Sequence, residues 1–145
     1  MEFETYDEKI AAGMASLHEG AGGLPTFLGM RGVHSGPGEL DVEIDVRDEL
    51  LTPFGNMHGG VIAALCDHVL GTVCYPVMAR GSWAATTEFK LNYLAPVTAG
   101  TVRAEARIES MTKSTAVVRM RVVNEDRVVC LAQGTVLLKP PKPKE

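Results

Sequence analysis

The chain has 145 residues, of which 46% are hydrophobic and 22% charged, the proportions of one soluble globular domain with a core of its own. A net charge of -4 gives no electrostatic footprint for nucleic acid, although a small anionic ligand held by a few local cations stays open. Three cysteines, Cys66, Cys74 and Cys130, are far apart and odd in number. They suggest reduced core thiols and not a disulfide framework or a zinc knuckle.

The chain starts Met1-Glu2-Phe3-Glu4, without the basic and apolar character of a signal peptide, so a cytoplasmic location is expected. Phe3, Tyr6, Ile10, Met14 and Leu17 recur at steps of three and four, which predicts a helix ending near Gly20. Residues 1–24 are thus a helix and linker, with Gly20 to Gly23 as a breaker. Thr26 to His34 reads as a strand, and Pro37-Gly38 as a turn. Leu40, Val42, Ile44 and Val46 alternate with charged residues, a strand with one dry face that forms a hairpin with the first.

Residues 48–57 form a loop with Pro53 and Gly55. A long helix follows from about His58 to about Met78, with Asn56 as its N-cap and Pro76 weakening or ending it around Cys74 to Tyr75. The apolar run Val61 to Ala79 is interrupted by Asp67, His68, Gly71 and Pro76. It is a poor membrane span, and no membrane partner is expected. Four strands come next, at 82–93, 101–111, 115–123 and 128–138, the last two joined by Asn124-Glu125-Asp126. The tail 139–145, rich in Lys and Pro, is expected to be disordered. The sum is one α+β domain over residues 1–138, an antiparallel sheet wrapped around a helix that it buries on all sides.

Asp67 stands out within that helix. An apolar helix is normally buried, and a buried carboxylate without partners costs several kcal/mol or takes up a proton. Gly59 and Gly60 open the same helix, where unpaired N–H groups and a partial positive charge suit a polarised carbonyl oxygen. The simpler reading is that two glycines let the helix pack closely. Two turns, ~10 Å, separate Gly60 from Asp67, so one small reacting group meets both only if a two-fold related copy supplies the second. His68 points about 100° away from Asp67 and makes no natural pair with it. Ligand spacing for a metal is absent, no nucleophile elbow occurs, and Cys66 reads as a core thiol. His18 and His34 read as surface residues.

His58-Gly59-Gly60 with Asp67 nine positions after the histidine resembles the hotdog-fold acyl-CoA thioesterases of the PaaI-like and 4-hydroxybenzoyl-CoA-like types. Pro53, Gly55, His58, Gly59, Gly60, Ala64 and Asp67 fit their pattern Pro-x-Gly-x-x-His-Gly-Gly followed by x-x-x-Ala-x-x-Asp/Glu. Thr86 to Pro96 is similar to their third strand, which ends in Tyr/Phe-x-x-Pro. The resemblance covers about residues 25–138. It implies that Gly59 offers its N–H to a thioester carbonyl, with His58 and Gly60 beside it. Asp67 of the partner subunit would be the nucleophile or the base that activates water, and Thr86 would position that water. Thr52 stands where the family often has Asn or Gln; Asn56 is a substitute for that polar contact.

The resemblance further implies an acyl-CoA substrate, no cofactor beyond the coenzyme A of that substrate, and a homodimer with shared sites that assembles as a tetramer. A desolvated Asp67 would have a raised pKa. Arg80, Lys90, Lys113 and Arg119 are candidate cations for coenzyme A, with Lys90 and Lys113 taken forward. Phe54, Met57, Leu65 and Trp83 are candidate walls for the acyl group. The alternatives are a non-catalytic acyl-CoA binding protein of the same fold, a hydratase or dehydratase, which His68 is badly directed to serve, and a ligand-free module, which leaves Asp67 unexplained.

Overall fold

The computed structural model describes residues 1–16 and 22–141. Six strands, β1 (Arg31–Gly36), β2 (Glu39–Asp45), β3 (Trp83–Tyr93), β4 (Thr101–Met111), β5 (Thr115–Asn124) and β6 (Arg127–Lys139), form one antiparallel sheet in the order β1-β2-β4-β5-β6-β3. The helices are α1 (Glu8–Ser16), α2 (Gly23–Leu28) and α3 (Gly59–Thr72). This is the α+β arrangement expected from the sequence. β3 lies at an edge, although the sequence inserts it between β2 and β4.

Alternation sets the two faces of the sheet. Val102, Ala104, Ala106 and Ile108 of β4 are buried, while Arg103 and Arg107 point away and meet Glu43 and Asp41 of β2. Val42, Ala104, Val122 and Cys130 form one row across the inner face, ending beside Tyr93. α3 packs on that face against β2, β3, β4 and β6. Ile62, Leu65, Cys66, Val69 and Leu70 point into the sheet, each leucine or isoleucine adding roughly 1.5–3 kcal/mol by leaving water. Small residues in the strands beneath bring the helix close. A Cβ on Gly134 would lie 3.0 Å from Leu70 Cδ1 and 2.7 Å from the Glu88 carbonyl oxygen.

Several expectations are corrected. α3 is not covered on every side: Gly60 and Asp67 are exposed and Val61, Ala63, Ala64, His68 and Gly71 only half-buried. Thr26 to Leu28 is helical and not strand. The Thr26 hydroxyl bonds both Gly22 N–H and Gly22 C=O, and Gly29 ends the turn in the left-handed conformation. The Arg47 guanidinium then holds the carbonyls of Phe27 and Leu28. Phe3 and Tyr6 precede α1, because Asp7 accepts the N–H groups of Lys9 and Ile10 and starts the helix there; Leu17, His18 and Gly20 lie outside the described residues. α3 stops at Thr72, and a 3₁₀ turn at Tyr75–Val77 carries Pro76, close to the break expected from that proline. More than half of the apolar run Gly59–Val77 is buried within the fold. Lys139 belongs to β6 and not to the tail, of which residues 142–145 lie outside the described residues.

Candidate active site

The start of α3 is built from its own sequence and pinned by neighbours. Met57 N–H donates to Val97 C=O at 2.7 Å and His58 N–H to Leu50 C=O at 2.9 Å, so the chain enters the helix held by the backbone of two neighbouring loops. His58 is extended, at φ -62° and ψ 132°, and its Nδ1 accepts the Gly60 N–H at 2.8 Å. His58, and not Asn56, is therefore the N-cap. An Nδ1 that accepts leaves the ring proton on Nε2. Asn56 is committed within its loop, accepting the Thr52 hydroxyl at 3.0 Å and donating to Met57 C=O at 3.3 Å.

With Gly60 capped, the Gly59 N–H is the remaining donor at this end, and it has no acceptor among the described residues. The Tyr93 hydroxyl donates to Gly59 C=O at 2.8 Å. Burial, and then the nearby Cys130 and Cys66 thiols, push the Tyr93 phenol above its ordinary value, so it stays a donor at neutral pH. Both glycines are set by close approach. A Cβ at residue 59 would lie 3.1 Å from Tyr93 Cζ, and one at residue 60 would lie 2.9 Å from His58 Nδ1. Tyr93 was not singled out from the sequence, although it lies inside the Tyr-x-x-Pro signature.

Asp67 lies on the same face eight residues on, ~12 Å along the axis from Gly59. It is exposed and has no hydrogen-bond partner among the described residues. The expectation of a carboxylate buried by its own sheet is thus overturned. β3 runs beside this face. Thr86 and Asp67 line one groove of about 390 Å³ with Gly60, Ala63, Ala64 and Phe89, and a second of about 610 Å³ with Met14, Gly71, Tyr75 and Ala84. A β-bulge at Thr87 separates Thr86 from Glu88. It is held by Thr87 Oγ1 donating to Thr135 C=O at 3.0 Å and Thr135 Oγ1 donating to Glu88 at 2.7 Å. Bulges near a site commonly re-aim side chains.

The other expected residues separate. Met57 lines a groove of about 410 Å³ with Gly59 and Tyr93 but is itself buried, and Leu65 is fully buried core. Phe54 is 93% exposed at the loop tip, and Trp83 is half exposed. Phe89 and Leu91 pack on the core, so Lys90 points to the opposite face of the sheet, with Asn92, Arg119 and Arg121. Lys113 sits exposed in the β4–β5 turn. Arg80 pairs with Asp7 at 2.6 Å and Arg119 with Glu109 at 2.7 Å. Neither lysine shares a groove with Asp67. A further groove of about 530 Å³ around Asp7 and Arg80 has no lining residue in common with the Asp67 grooves. Cys66 and Cys130 are buried thiols in hydrogen-bond contact; that bond, and then burial, push the Cys66 thiol well above the usual range. Burial alone pushes Cys74 up to about 12. Among the described residues no group of His, Cys, Asp and Glu gathers as around a metal ion.

The family model described as "Thioesterase superfamily" matches residues 54–131, more than half of the chain. The 1,4-dihydroxy-2-naphthoyl-CoA hydrolase of Listeria monocytogenes is 28% identical over 118 residues, 81% of this chain and 96% of that protein. Human acyl-coenzyme A thioesterase 13 is 25% identical over 103 residues, covering 70% of this chain and 73% of that protein. Among solved structures, the PaaI protein of E. coli superimposes with a TM-score of 0.83 at 22% identity, covering 94% of this chain and 98% of that one. The conserved protein PA5202 of Pseudomonas aeruginosa does so with a TM-score of 0.74 at 30% identity, covering 78% and 90%. The fold they share with this chain is an α+β hotdog.

Proposed function

The chain belongs to the thioesterase superfamily and is a thioester hydrolase, and from that premise we propose that it hydrolyses a small or medium acyl-CoA at a site shared between two subunits. One observation carries this reading: a Gly59 N–H and an Asp67 carboxylate, both unpaired among the described residues, share one open helix face but stand ~12 Å apart. That is too far to act on one carbonyl within a chain. A two-fold axis through the open face runs two α3 helices in opposite directions, and brings the N-terminus of one beside Asp67 of the other. The free edge of β3 supports such a pairing, since an unpaired strand edge is a template for a second copy. A dimer of dimers in the cytoplasm completes the proposal, in keeping with three free thiols.

In the proposed reaction the carbonyl oxygen accepts the Gly59 N–H at the positive end of the α3 dipole. The partner subunit's Asp67 takes a proton from water, which Thr86 orients, and the resulting hydroxide adds to the carbonyl carbon. Collapse of the tetrahedral intermediate breaks the C–S bond, and the thiolate of coenzyme A leaves with the proton that Asp67 took. His58 holds the helix mouth open through its bond to Gly60. With Asp67 as the nucleophile instead, an acyl anhydride would form first. A single turnover in ¹⁸O-water that leaves label on Asp67 establishes the second route, with water attacking the Asp67 carboxyl carbon of the anhydride and breaking its C–O bond to the bridging oxygen, because the first route never labels Asp67. The coenzyme A of the substrate is the only cofactor this chemistry calls on. The Listeria and human relatives are named for hydrolysing CoA thioesters, which supports the substrate class.

The decisive experiment mixes two inactive variants, Asp67→Ala and Gly59→Val, after subunit exchange. A shared site restores about a quarter of wild-type turnover, because half of the dimers are mixed and each holds one intact site. No recovery sinks the shared site. A protein that binds acyl-CoA but turns none over would instead be the non-catalytic alternative.

A further inference from the structure

The larger of the two grooves at Asp67 extends from Asp67 and Thr86 toward Tyr75 and Ala84. Its volume, about 610 Å³, is that of a small-molecule site. Gly71 lines it one helical turn beyond Asp67, ~6 Å along the axis and on the same face. Glycine within a helix is less favourable than alanine, and nothing among the described residues calls for one here. Gly71 is not left-handed, and a Cβ built on it meets nothing within 4 Å. The missing side chain leaves open space where the groove passes.

At the far end the Tyr75 hydroxyl oxygen accepts the Ala84 N–H at 3.3 Å. Its hydrogen has no acceptor among the described residues. The Thr72 hydroxyl donates to His68 C=O at 2.6 Å, and its oxygen lies 3.5 Å from His68 Nε2. An acyl end made only of carbon and hydrogen would cover the Tyr75 donor without pairing it, which is unfavourable. An oxygen at that end would pair it.

Resting on the thioesterase reading, we propose that this groove is the acyl chamber, that Gly71 sets the size of the group it admits, and that the Tyr75 hydroxyl favours an acyl group whose far end bears an oxygen acceptor. Both act on specificity and neither touches the reacting carbonyl.

The test compares kcat/KM for acetyl-, hexanoyl- and 6-hydroxyhexanoyl-CoA in the wild type, Gly71→Leu and Tyr75→Phe, with melting temperature and dimer mass as folding controls. Gly71→Leu should lower the ratio of 6-hydroxyhexanoyl to acetyl turnover tenfold or more, through KM. Tyr75→Phe should remove the preference for 6-hydroxyhexanoyl over hexanoyl. Equal losses on all three thioesters, a wild type that prefers hexanoyl, or a Gly71→Leu protein that falls apart into monomers would overturn the proposal; in the last case Gly71 is a contact between copies. A wild type that turns over none of them fails the thioesterase reading instead. The chamber is then tested by calorimetry with the non-hydrolysable thioether 6-hydroxyhexyl-CoA: tenfold weaker binding to Gly71→Leu supports it, and equal or absent binding overturns it.

Discussion

Cys66 and Asp67 are neighbours in sequence and opposites in environment. Cys66 faces the sheet with no exposed surface, its thiol against Cys130, whereas Asp67, about 100° around the helix, is exposed and unpaired among the described residues. The same apolar stretch supplies both. Ala63, Ala64 and Gly71 give α3 an outer face that is apolar yet small. Apolar composition marks the whole helix alike and does not report which of its faces the sheet covers.

The comparison breaks first at Asp67. Asp67→Asn keeps the shape and removes the proposed base, so kcat should fall by ~10³ or more, about 4 kcal/mol of transition-state stabilisation, with little change in melting temperature. Steady-state assays against calorimetric melting check both halves, and a variant that still turns over substrate removes Asp67 from the mechanism. The mirror experiment places the carboxylate one position earlier. Cys66→Asp puts an unpaired carboxyl under the sheet and should cost on the order of 3–5 kcal/mol of stability. Urea unfolding would read it, and equal stability of the two variants would mean that the two faces do not differ as described.

Much of the fold was legible because alternation is a local signal. β4 runs from Thr101 to Met111 as its pattern of Val102, Ala104, Ala106 and Ile108 against charged residues indicates. What escaped depends on groups distant in sequence. Thr26 to Leu28 has strand-like composition, and its carbonyls are held by Arg47 from about twenty residues away. The central residues of the candidate site, Gly59, Asp67 and Thr86, come from one motif and one strand. Lys90 lies away from the Asp67 grooves for a local reason: the extra residue at Thr87 shifts the register of β3, so that Lys90 faces the side of the sheet opposite Thr86. The N-cap passed from Asn56 to His58 because Thr52 engages the Asn56 oxygen.

A smaller effect is expected at the glycine end of the helix. Gly59→Ala retains the N–H, but its Cβ meets the Tyr93 ring 3.1 Å away. Either the ring or the helix mouth shifts by a few tenths of an ångström, so kcat should fall by less than the ~10²-fold that a ~1 Å misplacement of an aimed donor costs. Removing the obstacle with Tyr93→Ala in the same chain should recover part of the loss. A double variant no better than Gly59→Ala would show that the glycine serves something other than the approach of Tyr93.

The smallest expected effect separates stability from chemistry at His58. His58→Ala removes the acceptor of the Gly60 N–H and should cost about 1 kcal/mol of stability, as N-cap losses do. It also releases that N–H, so α3 would carry two free donors where the wild type carries one. If the cap is the whole contribution of His58, chemical unfolding shifts and kcat stays within a few-fold of the wild type, while His58→Asn, which also caps, restores the stability. A large loss of kcat with unchanged stability would instead assign the Nε2–H of His58 a place at the thioester, and the glycine end of α3 would then supply two groups to the reaction.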